Sequence, residues 1–365
     1  MFLKAPSSLS TVVFVAPVVF SRLQQRHQAF ARELAALGFR VFFVEPFTSP
    51  GWSVAVENVA DRLTVLRLRV PFKASSVPAL QKIVCRIAAK MLKKQIDCHF
   101  SQAILWLAEP SMAALTEFSW ARILYDRCDL HGSFPGQKNS VWRRYEAAIE
   151  EKADLISVSH PFLAEAIVSR RDKVVLAPNA CSEDFLAQRR AVADNSRFLL
   201  EKNGNSGPSP VRLVSSGAHY EWVDCEWLKM LACLDDVELH IAGTGRGKTF
   251  SDLLQLPTVK NHGHLNHNDL LQLLVECHIG LIPFCDLPLI KGVDPIKAYE
   301  YAACGLEVWA PDLAALHGNR MIGRFVATKA AATVALKEYR FAPQSFAGPI
   351  PIWKERLTPI LARLL

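Results

Sequence analysis

The sequence contains no C-x-x-C pair, no apolar run long enough to span a bilayer, no short internal repeat and no low-complexity tract. Each absence removes a class of protein. The nine cysteines, at 85, 98, 128, 181, 225, 233, 277, 285 and 304, are odd in number and scattered. They support neither a disulfide framework nor a zinc site and favour a reducing, cytoplasmic setting. The nearest membrane candidate, residues 11–20, falls short of the roughly 18 apolar residues a span needs. It contains Pro17 and no small-residue cleavage pattern follows, so it reads as a buried first strand rather than a signal-peptide core. His262, His264 and His267 share one loop without a carboxylate or cysteine at ligand spacing, so neither a metal nor another cofactor is expected. Basic and aromatic residues are not interleaved as in nucleic-acid binders, and no nucleic-acid partner is expected.

What is present is a chain of 365 residues, 50% hydrophobic, long enough for two domains with packed cores. The net charge of +7 is unevenly shared: residues 1–180 hold 23 Lys/Arg against 15 Asp/Glu, and residues 181–365 hold 19 against 20. The basic surplus biases the N-terminal half toward an anionic partner, a lipid surface or a charged acceptor.

A β-branched run at 12–15, an amphipathic helix over 24–37 ended by Gly38, and a second strand at 41–44 make a βαβ unit. The pattern continues with strands at 63–68, 103–107, 123–125, 155–158 and 174–176. It pauses near Pro178 and Asn179, passes a loop at 203–210, and restarts at 211–215, 238–242, near Val259, and at 279–283, 308–310 and 325–327. The expected fold class is α/β, with two doubly wound, mostly parallel sheets. The expected domains are 1–178 and 179–350, with a closing helix over 351–365 that packs on either domain.

Residues 294–305 (DPIKAYEYAACG) carry the strongest functional signal. Asp294 suits an N-cap and Pro295 the first helical position. Lys297 and Glu300 share a face, while Ile296, Tyr299 and Ala303 line another that packs inward. An anion at this helix start would meet free N–H groups, the positive dipole end and the Lys297 ammonium, and Glu300 could accept from a sugar diol. A ligand with phosphate next to ribose suits that arrangement.

Residues 243–249 (GTGRGKT) fail as a Walker A loop, because the position five before Gly247 is Ala242, and they lack the dinucleotide-binding glycine spacing. They read as a strand-end turn beside a ligand cleft. Ser215-Ser216-Gly217 also ends a strand, and Gly217 permits close approach of a phosphate to the backbone. With Gly243 and Lys297 it places donors at the C-terminal edge of one parallel sheet. In residues 125–129 (YDRCD), Asp126 and Asp129 follow a first-domain strand as caps or as functional carboxylates, and Arg127 is available to pair with one of them. Asp129 is the candidate general base. Residues 80–94 place Leu80, Ile83, Val84, Ile87 and Met91 on one side and Lys82, Arg86, Lys90, Lys93 and Lys94 on another, which suits an anionic membrane or an ordinary solvated face.

With these residues the chain resembles GT-B glycosyltransferases, and is similar to the nucleotide-sugar-dependent family 4 group and to bacterial glucuronosyltransferases of exopolysaccharide assembly. Residues 294–305 resemble that family's P-x-K-x-x-E-Y-x-A-x-G donor helix. Further resemblance lies in Pro283-Phe284, Gln25-Arg26-His27-Gln28, residues 125–129, residues 152–159, Ala177-Pro178-Asn179, and Gly217 with Trp222-Val223-Asp224. The resemblance implies two Rossmann-like domains facing across a cleft, with the donor on the C-terminal one and the acceptor on the N-terminal one. It implies that Glu300 binds the donor ribose, that Lys297 and the Gly217 backbone hold the pyrophosphate, and that Asp129 is the base. Gly243 and His264 join the donor set, with uridine as the base. Arg26, Lys82, Arg86 and Lys90 make an acceptor or membrane surface. The position eight before Glu300, a glutamate in retaining family 4 enzymes, is Gly292, which argues for inversion. Leu306 and then Glu307 follow Gly305, where the family usually has a proline.

The expectation is therefore a metal-independent glycosyltransferase that moves a sugar from a nucleotide diphosphate donor to a glycan or lipid-linked hydroxyl. It would work in the cytoplasm, peripherally on the inner face of the plasma membrane. The rival readings are a retaining enzyme of the same fold, distinguished by product anomeric configuration, and a catalytically silent nucleotide-binding scaffold, distinguished by donor turnover.

Overall fold

A computed structural model of the chain describes residues 9–21, 25–167, 171–189, 210–341 and 348–365. The chain divides into two compact units, Met1–Asn179 with Trp353–Leu365, and Ala180–Ile352.

The first unit is built on an eight-stranded sheet in the order β3-β4-β2-β1-β5-β6-β7-β8. These strands are β1 (Thr11–Val15), β2 (Arg40–Val44), β3 (Ser53–Ala60), β4 (Leu63–Arg69), β5 (Ala103–Leu107), β6 (Arg122–Arg127), β7 (Leu155–Val158) and β8 (Val174–Leu176). Every pair is parallel except β3 with β4. The central strands read as unbroken apolar runs because helices cover both faces of a parallel sheet. β1 and β5 are buried along their whole length. β3 was not anticipated from the sequence: it is an edge hairpin partner, mostly exposed, and so lacks a core-facing signal.

The second unit carries six parallel strands in the order β11-β10-β9-β12-β13-β14. They are β9 (Val211–His219), β10 (Val237–Gly245), β11 (Val259–Gly263), β12 (Ile279–Leu281), β13 (Glu307–Ala310) and β14 (Arg324–Phe325). This is the doubly wound order, with its topological switch between β9 and β12. β9 and β10 run four and three residues past their expected ends of 215 and 242, so that Gly217 and Gly243 sit within paired strand ends. The loop expected at 203–210 lies outside the described residues except for Pro210.

The closing helix, Trp353–Leu364, belongs to the first unit: Trp353 meets Phe30 edge-on at 5.4 Å, and Arg122 Nε donates to the Leu364 carbonyl. Phe30 in turn lies under the Arg26 guanidinium at 4.5 Å. Arg26, expected on an acceptor or membrane surface, is instead buried at 2% exposure in the first helix, Arg26–Ala36. It grips Asp126 through Nη2 at 2.8 Å and Nε at 3.1 Å, and donates to the Ala177 carbonyl at 2.6 Å. Asp126 also accepts from Ser157 Oγ at 2.6 Å. Strand alternation explains a second correction. Asp126 faces the first helix, so Arg127 on the other side of β6 pairs with Glu146 and Glu150 rather than with either aspartate.

The helix Pro78–Leu92 also departs from expectation, because its buried face is Gln81, Val84, Cys85, Ala88, Ala89 and Leu92. Of the apolar side read from the sequence, Val84 is buried, whereas Leu80 and Ile83 are exposed. Small residues at 85, 88 and 89 allow the helix to approach Met112, whose sulfur lies 3.6 Å from Gln81 Nε2 and 3.8 Å from Cys85 Sγ.

Burial alone would raise the Asp126 carboxyl, but the charge and hydrogen bonds of Arg26 prevail and hold it below the usual carboxylate value. The pair therefore stabilises the fold fully above about pH 4, the unfolded value, and that contribution is lost as pH falls through the lower folded-state value. Arg26→Met should cost about 3–5 kcal/mol in urea unfolding at pH 7, because it leaves a buried carboxylate unpaired. Arg26→Met with Asp126→Leu should recover much of that loss; a single variant as stable as the parent would contradict the role given to the pair.

Candidate functional site

In the second unit the ends of β9, β10 and β12 meet the helix Ile296–Ala303. Its N-cap is Pro295 in an extended conformation, not Asp294 as expected. Asp294 is drawn away from the helix start, accepting from the Tyr299 hydroxyl at 3.1 Å and from Asn319 Nδ2 at 2.9 Å. The inward face is Ala298, Tyr299, Tyr301, Ala302 and Ala303, with Ile296 only partly buried, which corrects the expected Ile296, Tyr299 and Ala303 set.

Lys297 leaves this helix toward the end of β9, and its ammonium lies against Gly217. A Cβ at position 217 would overlap Lys297 Nζ, and Gly217 has φ +110°, so both the space and the backbone conformation require glycine. Gly243, at φ +128°, stands over the Gly217 carbonyl in the same way. The Tyr301 hydroxyl, fully buried, accepts from Ser216 N at 2.8 Å and lies 2.9 Å from Ser216 Oγ, which fixes the strand end beside Gly217. Sequence reasoning gave Tyr301 no role of its own, although the tyrosine of the E-Y pair in the donor-helix pattern falls on it.

Lys297 and Glu300 are half-buried, and among the described residues neither has a hydrogen-bond or ion-pair partner within bonding distance. Burial pushes the Lys297 ammonium down to about 8, with Glu300 pulling it partly back. Burial pushes the Glu300 carboxyl up to about 7 against the opposing pull of Lys297. Titratable groups left this poorly solvated in a cleft are candidates for a ligand site. A small cavity of about 20 Å³ opens here, walled by Ser216, His219, Trp222, Pro283, Phe284 and Lys297. It lies at the switch point, where doubly wound sheets receive ligands. Beside it a cleft of about 350 Å³ is bounded by Tyr220, Asp224, Arg246, Thr249 and Cys285. Residues 243–249 are the expected strand-end turn, and Arg246 caps the Tyr220 ring at 4.5 Å.

His264 is exposed just past the end of β11, the edge strand of this sheet. His262 is turned aside to His240 Nδ1 at 2.9 Å, and His240 Nε2 meets Glu238 at 2.8 Å. Among the described residues no group of His, Cys, Asp or Glu is arranged to hold a metal.

In the first unit Asp129 follows β6 and is half-buried. Burial pushes its carboxyl up to about 6, opposed by the Cys128 thiol at 3.7 Å and by Arg26. Cys128 Sγ lies 3.4 Å from His27 Nε2. Lys82 pairs with Glu117 at 2.6 Å and Arg86 lies 3.9 Å from the same carboxylate, while Lys90 is exposed without a partner among the described residues.

No protein-family model matches the chain. A curated relative is the Bacillus subtilis (strain 168) protein TuaH, assigned to teichuronic acid biosynthesis as a glycosyltransferase, at 25% identity over 57% of this chain. The chain spans about half, 55%, of that relative's length. Among solved structures, sucrose-phosphate synthase of Thermosynechococcus elongatus matches 97% of this chain and 94% of its own, at 15% identity and TM-score 0.66. An E. coli trehalose-6-phosphate structure bound with UDP-2-fluoro glucose covers 98% of this chain and 96% of its own, at 11% identity and TM-score 0.61. A glycosyltransferase of Rickettsia africae ESF-5 covers 98% and 94%, at 15% identity and TM-score 0.59. These likenesses assign the chain the GT-B fold, with its two Rossmann-like units.

Gly217→Ala should cost about 1–3 kcal/mol of stability by forcing an L side chain to positive φ. Because the new methyl displaces the Lys297 ammonium, an anion held by that ammonium should bind about tenfold more weakly, a loss of about 1.4 kcal/mol, in calorimetry with inorganic pyrophosphate as the probe, whereas unchanged binding would remove Gly217 from the site.

Proposed function

We propose that the chain is a glycosyltransferase that takes a sugar from a nucleotide diphosphate donor, a uridine one by analogy with a structural neighbour, and transfers it to a hydroxyl of a glycan or lipid-linked acceptor. The observation that carries this reading is the unpartnered Lys297 ammonium lying against Gly217, with Glu300 one turn further along the same helix. The diphosphate would be held by Lys297, the Gly217 backbone and the helix start, and the ribose by Glu300. The UDP-2-fluoro glucose bound to the E. coli neighbour supports the donor class, and the teichuronic acid assignment of TuaH supports a polysaccharide acceptor.

In the proposed reaction Asp129 takes the proton of the acceptor hydroxyl. The oxygen attacks the anomeric carbon, the bond to the diphosphate breaks, and the configuration inverts. Lys297 neutralises the departing diphosphate as its charge develops, so the step needs no metal. Gly292, buried in the turn Pro288–Gly292, offers no carboxylate for a retaining mechanism, which supports inversion.

A membrane-facing role has its own support. Val77, Leu80 and Ile83 are exposed at 47%, 45% and 45%, and recur every three residues before Arg86 and Lys90 on the helix Pro78–Leu92. An exposed stripe that is apolar at one end and basic at the other suits an anionic lipid surface. No helix among the described residues is long and apolar enough to cross a membrane. The nine free cysteines support placing the reaction on the reducing, cytoplasmic side.

Transfer of labelled sugar from nucleotide sugars into membrane extract should follow a bell-shaped pH profile. The acid limb should lie between about 6 and 7, where Asp129 and Glu300 must be ionised, and the alkaline limb near 8, where Lys297 must be protonated. Asp129→Asn should lower kcat about a hundredfold or more while nucleotide affinity holds; near-parental turnover would end its assignment as base. Leu80→Ser with Ile83→Ser should cut co-sedimentation with phosphatidylglycerol vesicles several-fold without affecting thermal stability. Equal sedimentation of the parent with neutral and anionic vesicles would argue against this surface.

A further inference from the structure

His219 closes β9 two residues beyond Gly217 and is buried at 2% exposure. Its Nε2 lies 2.9 Å from Ser215 Oγ, and its ring stacks on Phe250 with centroids 5.4 Å apart. Its Nδ1 is buried and, among the described residues, makes no hydrogen bond of good geometry, the Thr244 and Gly217 backbone lying near enough only to raise the imidazole partly back. The same side chain forms a wall of the small cavity that Lys297 enters. Buried polar side-chain atoms are nearly always hydrogen-bonded, so an exception beside a cavity that also holds an unpartnered ammonium points to a missing ligand.

We propose that His219 is a further donor-binding residue whose neutral Nδ1–H donates to a phosphate oxygen of the nucleotide diphosphate, with the Ser215 hydroxyl donating to Nε2 and so keeping the ring proton on Nδ1. This rests on the reading of the Lys297 site as a diphosphate site. Burial, and then the Lys297 charge, lower the imidazole to about 4, with the Thr244 and Gly217 backbone pulling partly back, so the ring is neutral at physiological pH. A neutral donor suits this place: a second full charge beside Lys297 would meet repulsion in the empty site, whereas an N–H dipole adds a directed bond at little cost. The Ser215 contact plays the part that an outer hydrogen bond plays for any functional histidine, setting which nitrogen carries the proton.

The two amide substitutions separate this role from a structural one. Asparagine places its NH2 near the position of Nδ1, and glutamine places its own near Nε2. In calorimetric titrations of the full chain with UDP and with inorganic pyrophosphate, His219→Gln should weaken both about tenfold, while His219→Asn should stay within about threefold of the parent. The reverse order would show that the Ser215 contact alone matters and would overturn the proposal, as would unchanged affinity in both variants. In the parent protein with labelled histidine, UDP should also shift the His219 Nδ1 resonance, a readout independent of how any variant folds; an unmoved resonance in the nucleotide-saturated protein would overturn it too. Failure of the parent to bind either probe would sink the diphosphate reading and this inference together, whereas parental binding with an unaffected His219→Gln sinks this inference alone.

Discussion

A lysine ammonium held against the backbone of a glycine, half-buried and without an opposite charge in bonding contact, is the constraint around which the second unit is organised. Lys297 can reach that position only because residue 217 has no side chain and because Gly243 lets the neighbouring strand end lie close over it. Tyr301, on the same short helix, fixes the strand end through Ser216, so the helix that delivers the cation also positions the backbone it faces. The parallel strand order supplies the rest, since the switch between β9 and β12 leaves the sheet edge open where these groups converge. Burial has destabilised both the Lys297 and the Glu300 charges, and an anionic ligand with a sugar diol would relieve that strain.

The two units treat buried charge in opposite ways. In the first, Arg26 is matched by Asp126, and Arg127 by Glu146 and Glu150, so these ions tie the first helix, β6 and the helix Asn139–Lys152 together. Asp129, three residues after Asp126, has no such cation in bonding contact among the described residues. The outcome is two carboxyls on one strand end with values pushed apart, one held below the usual range and one raised to about 6. Such divergence between neighbours separates a structural acid from one suited to take a proton.

Much of the fold was legible in the sequence, because parallel strands covered on both faces read as near-continuous apolar runs, and β1, β2 and β5 do. The placing of Lys297 and Glu300 on one helix was legible for a similar reason, since a lysine and a glutamate three apart on a helix that begins near a proline can scarcely be spread elsewhere. What escaped depended on partners distant in sequence. Arg26 is an ordinary surface cation until Asp126, a hundred residues on, is folded against it. The buried face of the helix Pro78–Leu92 is decided by what Met112 can accommodate, not by which of its residues are the most hydrophobic. Asp294 has the composition of a cap, yet Tyr299 and Asn319 claim its carboxylate. Tyr301 and His219 matter through single hydrogen bonds, to Ser216 and Ser215, and no periodicity encodes those.

The central claim is that Lys297, Gly217 and Glu300 together grip the phosphate and ribose of a sugar nucleotide. A crystal structure of the chain soaked with UDP-glucose tests it most directly. The account requires a phosphate oxygen within hydrogen-bonding distance of Lys297 Nζ and the Gly217 amide, and the ribose hydroxyls on the Glu300 carboxylate. A nucleotide bound elsewhere, with Lys297 and Glu300 still unpartnered, would contradict it.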